Sequence, residues 1–414
     1  MVLINSGQLA ADRLTEIAKI SEDGPGVTRL PFTREHAVAV EMIESWMQDA
    51  GLQTHLDAAG TLVGRTNFTG ATQTLYMGSH QDSVRQGGAY DGIMGIALPI
   101  LALKELHNEG VVLPFNVEVL AFADEEGVRF PTALIGSRAL TGTFDPDVLK
   151  LEDRDGISLE KAMQDFGLLP ENIPNLKRNS DQALGFVEVH IEQGPVLQDA
   201  NLSLGVVTAI CGIERHSVTF HGVSGHAGTL PMRNRQDALV GASKLISFVH
   251  ELALNTEHLR ATVGALDISP NVVNAVPHEA RLTVEIRSAD DNVRSEAAQR
   301  FEVKAKEIAQ THGLKLNYDR TYAQHAQQCA DSLKRPLTAA VEVHAGRALT
   351  LPSGATHDAS AMADLGPIAM LFVRCKDGIS HNPSEYASPE DMGDAINVIV
   401  LFLRSFPVWS KTLL

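Results

Sequence analysis

Cysteines are few in this sequence, three among 414 residues, and their number is odd. Cys211, Cys329 and Cys375 lie far apart, which excludes a disulfide framework and predicts reduced, packed thiols. No apolar run reaches the roughly 18–20 residues that a membrane span needs, and the run at 93–103 predicts a buried helix. The first residues lack the basic start and apolar core of a secretory signal. These absences favour a cytoplasmic protein without a membrane partner.

Basic residues are also scarce, since 34 Lys and Arg stand against 51 Asp and Glu and leave a net charge of −17. A surface that acidic repels phosphate groups, so nucleic acid and anionic membranes are not expected partners. The sequence contains no fixed-period repeat and no low-complexity tract. Hydrophobic residues make up 44% of the chain, enough for a buried core. The length predicts roughly two domains.

The first half of the chain alternates helix and strand patterns. Thr33 is positioned to cap a helix over 36–47. Further elements are a strand at 74–77, a helix at 93–107 with Pro99 inside it, and strands at 116–123 and 186–190. This alternation favours an α/β fold, with a mixed sheet between helices.

The pattern changes near Cys211. The following segments predict, in order, strand 217–220, helix 236–252, strands 262–268 and 281–286, helix 291–312 and strand 314–318. This βαββαβ order is typical of ferredoxin-like α+β domains and predicts an insert at 212–328. The α/β pattern then resumes with helix 336–344, strand 368–374 and helix 391–406. Residues 1–211 and 329–414 are therefore expected to form one discontinuous domain.

Side chains with metal-binding chemistry follow predicted strands at five places: His80 after LYMGS, Asp91 in GGAYDG, Glu126 after VEVLAFADE, His190 after FVEV and His381 after MLFVRCKDGIS. Ligands bind at the carboxyl ends of strands in open α/β sheets, where distant segments converge. A carboxylate between two divalent cations reduces their repulsion, and imidazoles complete the nitrogen and oxygen shells. In the pair Glu125-Glu126, one carboxylate can bind metal while the other acts as a base. Taken singly, residues of these types at such places are more often structural or turn residues than metal ligands.

Longer strings of sequence carry a resemblance to a known family. They are GSHQDSV (78–84), GGAYDGIMG (87–95), ADEEGVRFP (123–131), HIEQGPVL (190–197), GHAGTLPM (225–232), NVVNAVP (271–277), SGATHDA (353–359) and DGISHNP (377–383). In this order they resemble the amidase, hydantoinase/carbamoylase family over about residues 25–405. That family lies within the wider clan of dinuclear metallo-aminopeptidases and carboxypeptidases.

The resemblance implies a role for each candidate ligand. His80 and His190 would bind one ion, Glu126 and His381 the other, and Asp91 would bridge both. Asp82 would support the His80 imidazole from outside the metal shell, and Glu125 would be the general base. The implied cofactors are two divalent ions, either zinc or manganese, cobalt or nickel.

The same resemblance assigns substrate contacts. His226 would stabilise the tetrahedral oxyanion, and Asn274 and Arg287 would hold a substrate carboxylate. Gln193 would contact the ureido group, and Arg215 is a further substrate-binding candidate. From the residues alone, a loop histidine, a turn asparagine and a surface ion pair remain open as alternatives for His226, Asn274 and Arg287.

The implied activity is metal-dependent hydrolysis of a linear ureido or amide C–N bond. The end segment LFVRCKDGISHNPSE favours an N-carbamoyl-L-amino acid hydrolase, which yields an amino acid, CO2 and NH3. The nearest alternative is an allantoate or ureidoglycolate amidohydrolase. A peptidase of the wider clan fits HIEQGP and GISHNP poorly, and a non-catalytic binding protein on the same scaffold is a remote alternative. The implied organisation is a catalytic domain (1–211 and 329–414), a lid and dimerisation domain (212–328), and a homodimer.

Overall fold

The structure is a computed structural model that describes residues 6–413, with side chains described as far as Phe406. No secretory signal is predicted at the first residues, and the first five of these lie outside the described range. Two compact units divide the chain. The larger unit contains the residues up to Thr208, Cys329–Leu351 and those from Ala355 onward, and the smaller contains Ala209–Gln328 and Pro352–Gly354. Among the described helices, none has the length and apolarity to cross a membrane.

The α-helices are α1 Ser6–Ile17, α2 Arg34–Asp49, α3 Met94–Asn108, α4 Ile135–Thr141, α5 Leu159–Asp165, α6 Val196–Asp199, α7 Ala238–Leu254, α8 Asp291–His312, α9 Asp331–Ala345, α10 Asp358–Met362 and α11 Pro389–Leu413. Short 3-10 helices occupy Pro146–Lys150, Pro170–Leu176, Ser180–Gln182, Met232–Asn234 and Lys376–Gly378.

The strands are β1 Gln53–Leu56, β2 Leu62–Arg65, β3 Thr74–His80, β4 Asn116–Phe122, β5 Ala183–Ile191, β6 Leu204–Ile210, β7 Gly212–His221, β8 Gly225–His226, β9 Leu259–Ser269, β10 Ala275–Val276, β11 Glu279–Ser288, β12 Lys315–Gln324, β13 Gln327–Gln328, β14 Leu349–Ser353 and β15 Ile368–Val373.

The larger unit is built on a mixed sheet in the order β1-β2-β4-β3-β5-β15-β6. Strands β4, β3, β5 and β15 are parallel to one another, whereas β1, β2 and β6 pair antiparallel. The parallel strands β3, β4 and β15 are buried along their whole length, and α2, α3, α9 and α11 contribute to the main core. The predicted α/β fold class is confirmed. Because parallel strands end at one edge, the segments that follow β3, β4, β5 and β15 start from the same edge of the sheet.

Local sequence signals explain where several helices begin and end. The Thr33 side chain accepts a hydrogen bond from the His36 backbone N–H, which confirms the predicted cap of α2. Helix α8 has the predicted bounds because the Asp290 side chain caps its first turn and Gly313 ends it in a left-handed conformation, with φ of 63°. Pro99 lies inside α3 without ending it. The short strands β1 and β2, and strand β6, have no counterpart among the predicted elements.

The smaller unit has an antiparallel sheet in the order β12-β7-β11-β9, with α7 and α8 between its strands in the chain. This is the predicted ferredoxin-like arrangement. The apolar positions of β7 and β11 alternate with polar ones, and Phe220 and Leu282 pack with Leu245 of α7 and Phe301 of α8 in a separate core. Polar residues of the same strands, among them Arg215, occupy the alternate positions.

Candidate metal centre

The five candidate ligands lie together in the larger unit. Their ligand atoms form two overlapping groups, each with all atoms within 4.8 Å of one another: His80, Asp91 and His190 in one, and Asp91, Glu126 and His381 in the other. His80 ends β3, His190 lies near the end of β5, and the other three lie on loops that follow strands or precede α3. A further group joins His80 with Glu125 and Glu126. The structure therefore brings together side chains up to about three hundred positions apart.

Asp91 is the residue that the first two groups share. Its Oδ1 lies 3.0 Å from His190 Nε2 and 3.5 Å from His80 Nε2. Its Oδ2 lies 3.4 Å from His381 Nε2, which is in turn 3.6 Å from Glu126 Oε1. Each carboxylate oxygen thus faces a different group of donors. This is the arrangement that a carboxylate needs in order to bind a separate cation through each oxygen.

Backbone contacts orient the two buried imidazoles. His80 Nδ1–H donates to the Asp82 carbonyl at 3.0 Å, and His190 Nδ1–H donates to the Ile191 carbonyl at 2.9 Å. Because a carbonyl only accepts, the Nε2 of each neutral ring keeps its lone pair on the side of Asp91. Gly92, with φ of 68°, lies against His80, and a Cβ there would collide with the imidazole ring. The nitrogen and oxygen donors, with their lone pairs directed inward, fit a divalent metal.

Asp82 supports the site in two ways. Its carboxylate Oδ1 lies 3.5 Å from His80 Nδ1, whereas the backbone carbonyl of Asp82 lies 3.0 Å from the same nitrogen. The same carboxylate accepts backbone N–H groups from Glu125, at 3.1 Å, and from Glu126, at 3.2 Å. The predicted support of the His80 imidazole by the Asp82 carboxylate stays a prediction, since the shorter contact is with the Asp82 carbonyl. The contacts of Asp82 with the glutamate pair were not predicted. Asp82 therefore fixes the loop that carries both glutamates relative to His80.

Burial of carboxylic acids dominates the electrostatics of the site. Burial raises the pKa of Glu125 well above its usual value, and it raises the pKa of Glu126 to about 7. Burial also opposes the charge of Asp91, but the surrounding imidazoles hold the pKa of Asp91 well below its usual value. For His80, hydrogen bonds with neighbouring aspartates outweigh burial and raise its pKa. The negative charges of Asp91 and Asp82 also raise the pKa of Glu126, and a divalent cation bound here would offset that repulsion.

Metal affinity is expected to fall as the pH decreases through about 7, because Glu126 then takes up the proton that a bound cation must displace. Below that pH we expect about a tenfold loss of zinc affinity for each proton displaced per pH unit. Equilibrium dialysis with zinc at pH 8, 7 and 6 measures this slope. In the matched variant Glu126→Gln, zinc affinity should depend less steeply on pH. Equal zinc affinity at pH 8 and pH 6 in the unsubstituted chain would contradict a role of Glu126 as a metal ligand that must lose its proton.

Two side chains hold the Asp91 carboxylate in place. Gln193 Nε2 donates to Asp91 Oδ2 at 2.8 Å and to Ser380 Oγ at 3.0 Å. Ser380 Oγ also donates to Asp91 Oδ2 at 2.8 Å. Gln193 thus lies beside the metal cluster, where its predicted contact with a ureido group stays a prediction. Ser380 was missed, although its position directly before His381 is a signal that could have found it.

The other predicted substrate contacts lie in the smaller unit. His226 of β8 is paired with Ala275 of β10, and the Asn274 carbonyl accepts the backbone N–H of Ala227. His226 and Asn274 are therefore neighbours. Arg287 and Arg215 are linked by Glu285, whose two oxygens accept from their Nε atoms at 2.6 and 2.7 Å. Arg287 also donates to the Gly354 carbonyl. The roles of these four residues stay predictions.

An α/β domain that gathers imidazoles and carboxylates beyond the carboxyl ends of its strands has the donor set of a divalent-metal centre, the kind of site that metal-dependent enzymes use. Residues 71–405 match the family described as Peptidase family M20/M25/M40. An N-carbamoyl-L-amino acid amidohydrolase of Geobacillus stearothermophilus is 36% identical over 395 residues, 95% of this chain and 97% of that protein. An allantoate deiminase of Arabidopsis thaliana is 36% identical over 428 positions, 96% of this chain and 82% of that protein.

A crystal structure of an amidase of the hydantoinase/carbamoylase family from Burkholderia multivorans superimposes with a TM-score of 0.90 at 31% identity, covering 97% of each chain. The chain belongs to peptidase family M20/M25/M40, and within it to the hydantoinase/carbamoylase amidases. It is an amidohydrolase that acts on C–N bonds, as the resemblance implied. The family and the cluster around Asp91 together support binding of divalent metal.

Proposed function

We propose that this chain hydrolyses the ureido group of N-carbamoyl-L-amino acids at a site that would hold two divalent ions, with Asp91 as the residue shared by both. The observation that carries the two-ion centre is the division of the Asp91 oxygens: Oδ1 faces His80 and His190, and Oδ2 faces His381. The similarity to N-carbamoyl-L-amino acid amidohydrolases supports the substrate. His80 and His190 would hold one ion, and Glu126 and His381 the other. The donors are nitrogen and oxygen without thiolate, which suits zinc, manganese, cobalt or nickel.

Bound at this site, divalent ions would supply an acidified water and polarise the ureido carbonyl. Glu125 is the proposed general base, because it is buried beside His80 and Glu126. It takes the proton from the attacking water and returns it to the nitrogen that leaves as the C–N bond breaks. The carbamate that is released decomposes to CO2 and NH3, and the amino acid remains. His226 is proposed to stabilise the oxyanion, and Gln193 to contact the ureido group.

The second candidate is an allantoate or ureidoglycolate amidohydrolase, which the similarity to the Arabidopsis allantoate deiminase supports to nearly the same degree. Ammonia release from N-carbamoyl-L-amino acids, allantoate and ureidoglycolate, measured with metal-reconstituted enzyme, separates the candidates. We expect the highest kcat/KM for an N-carbamoyl-L-amino acid. A higher value for allantoate or ureidoglycolate would transfer the proposal to that substrate, and no release from any of them would reject a ureido substrate.

Arg287 is proposed to hold the substrate carboxylate, with Asn274 and with Arg215 as a further contact. Replacing Arg287 with Ala should lower kcat/KM for an N-carbamoyl-L-amino acid roughly 10- to 100-fold, the value of a hydrogen bond to a charged group. The corresponding substrate amide, which lacks the carboxylate, should lose much less. Arg281→Ala is the matched control, since Arg281 is exposed on the same strand β11. Equal losses on the acid and on the amide would rule out the carboxylate contact.

The smaller unit is proposed to act as lid and dimerisation domain of a cytoplasmic homodimer. Strand β9 lies at one edge of its sheet and is largely exposed. Helix α7 exposes Val240 and Leu254, with 71% of Leu254 accessible. An exposed edge and an adjacent apolar helix suit pairing with a second copy about a twofold axis. Light scattering after gel filtration tests this: twice the chain mass is expected, and a monomer at micromolar concentration would contradict it.

A further inference from the structure

Glu385 makes a backbone clamp on the loop that carries Asp91. Its Oε1 accepts the backbone N–H groups of Tyr90 and of Asp91, each at 2.9 Å. The side chain is buried, with 5% of the residue exposed. Gly88 lies directly against it, and a Cβ at position 88 would collide with the Glu385 carboxylate. Glu385 is therefore the hydrogen-bond partner of one buried backbone N–H, that of Asp91, and of one part-buried N–H, that of Tyr90.

Both the backbone and the side chain of Asp91 are hydrogen-bonded to the segment that contains Glu385. Glu385 accepts from the backbone of Asp91, and Ser380, at the other end of the same short segment, donates to the side chain of Asp91 at 2.8 Å. The rings of Tyr386 and Tyr90 also meet edge to face, with centroids 6.0 Å apart. Segment 380–386 and loop 88–91 are thus tied at three points. His381 lies within the tied segment.

His381 has little support of its own. Half of its side chain is exposed, and among the described residues neither ring nitrogen has a hydrogen bond apart from the ion-pair contacts with Asp91 and Glu126. The rings of His80 and His190, in contrast, are buried and each is held by a carbonyl. His381 also has a left-handed backbone, with φ of 55°. Its position relative to Asp91 must therefore come from the backbone on either side of it.

We propose that Glu385 is a positioning residue that holds Asp91 and His381 in register, and that the donor group Asp91–Glu126–His381 depends on it more than the group His80–Asp91–His190. This inference rests on the proposed function, because it requires two ions. The two ions would then differ in affinity. His381 would hold one of them in a position that depends on the Glu385 clamp, whereas His80 and His190 would hold the other through buried imidazoles that carbonyl groups orient.

The experiment compares zinc content per chain in Glu385→Ala, Glu385→Gln and Asp153→Ala, by mass spectrometry after dialysis against graded chelator. Asp153 is the matched control, because its Oδ1 also accepts two backbone N–H groups, those of Asp155 and Ile157, in a loop of the larger unit. We expect Glu385→Ala to release one zinc about 10- to 100-fold more readily than the unsubstituted chain and to keep the other. Glu385→Gln retains an oxygen acceptor and should keep both, as should Asp153→Ala. Excess zinc should restore the activity of Glu385→Ala.

Two results would overturn the inference: Glu385→Ala that keeps both ions with unchanged affinity, or that loses both equally. If Glu385→Ala does not fold, Gly88→Ala takes its place, since its added methyl group displaces the same carboxylate, and the selective loss of one zinc is again expected. An unsubstituted chain that binds fewer than two zinc ions would reject the two-metal function, whereas unequal binding restored by glutamine supports the clamp. A failure of the proposed two-metal function is therefore distinguishable from a failure of the proposed role of Glu385.

Discussion

Glu125→Gln is expected to keep its metal and to lose at least about 10²-fold in kcat, the lower limit for removal of a general base. The substitution preserves the size of a buried side chain and its backbone contact with Asp82, but it removes the group that takes the proton. The measurement is the rate of ammonia release at saturating substrate, with zinc content determined on the same sample.

The neighbouring variant Glu126→Gln is the natural control. Glu126 lies in the donor group with Asp91 and His381, so its replacement should reduce zinc content as well as the rate. Glu125→Gln that works within tenfold of the unsubstituted chain would remove Glu125 from the base role. Loss of zinc in Glu125→Gln would instead assign Glu125 as a ligand in the group that it forms with His80 and Glu126.

Asp91→Ala should have a different and larger effect, because it removes the carboxylate that both donor groups share. Zinc affinity should fall by more than the roughly 100-fold that loss of a supporting residue costs, and activity should fall to background. The three imidazoles around Asp91 would also lose the negative charge that they face. Titration with zinc, followed by ammonia release at saturating zinc, measures both effects.

Asp91→Asn provides the graded comparison. It keeps one neutral oxygen and should retain more zinc than Asp91→Ala, although it cannot bridge two cations as a carboxylate does. Asp91→Ala that still holds two zinc ions would show that the donor groups act independently of Asp91. The bridging role would then be wrong, even if the hydrolase activity were real.

The sequence was informative wherever chemistry follows regular structure. The strands before His80, Glu126, His190 and His381 are apolar runs that end at polar motifs, and their parallel order sends these residues to one edge of the sheet. The ferredoxin-like insert was predictable because its strand and helix patterns follow one another in the order βαββαβ. The carboxyl end of a predicted parallel strand was thus the signal that located the candidate metal ligands.

Contacts between loops were not predictable in the same way. Glu385 meets the backbone of Asp91 nearly three hundred residues away, and no spacing in the sequence encodes that contact. The two roles of Asp82 depend on how the loop after β4 folds back on the loop after β3. Short strands such as β1 and β2, with four residues each, carry too few positions for alternation to be recognised.

The central claim is that Asp91 bridges two cations, and anomalous diffraction from crystals of the zinc-loaded enzyme tests it most directly. We predict two zinc peaks, one on the Oδ1 side of Asp91 with His80 and His190, and one on the Oδ2 side with Glu126 and His381. A single peak, or a pair of peaks of which neither contacts Asp91, would contradict the claim.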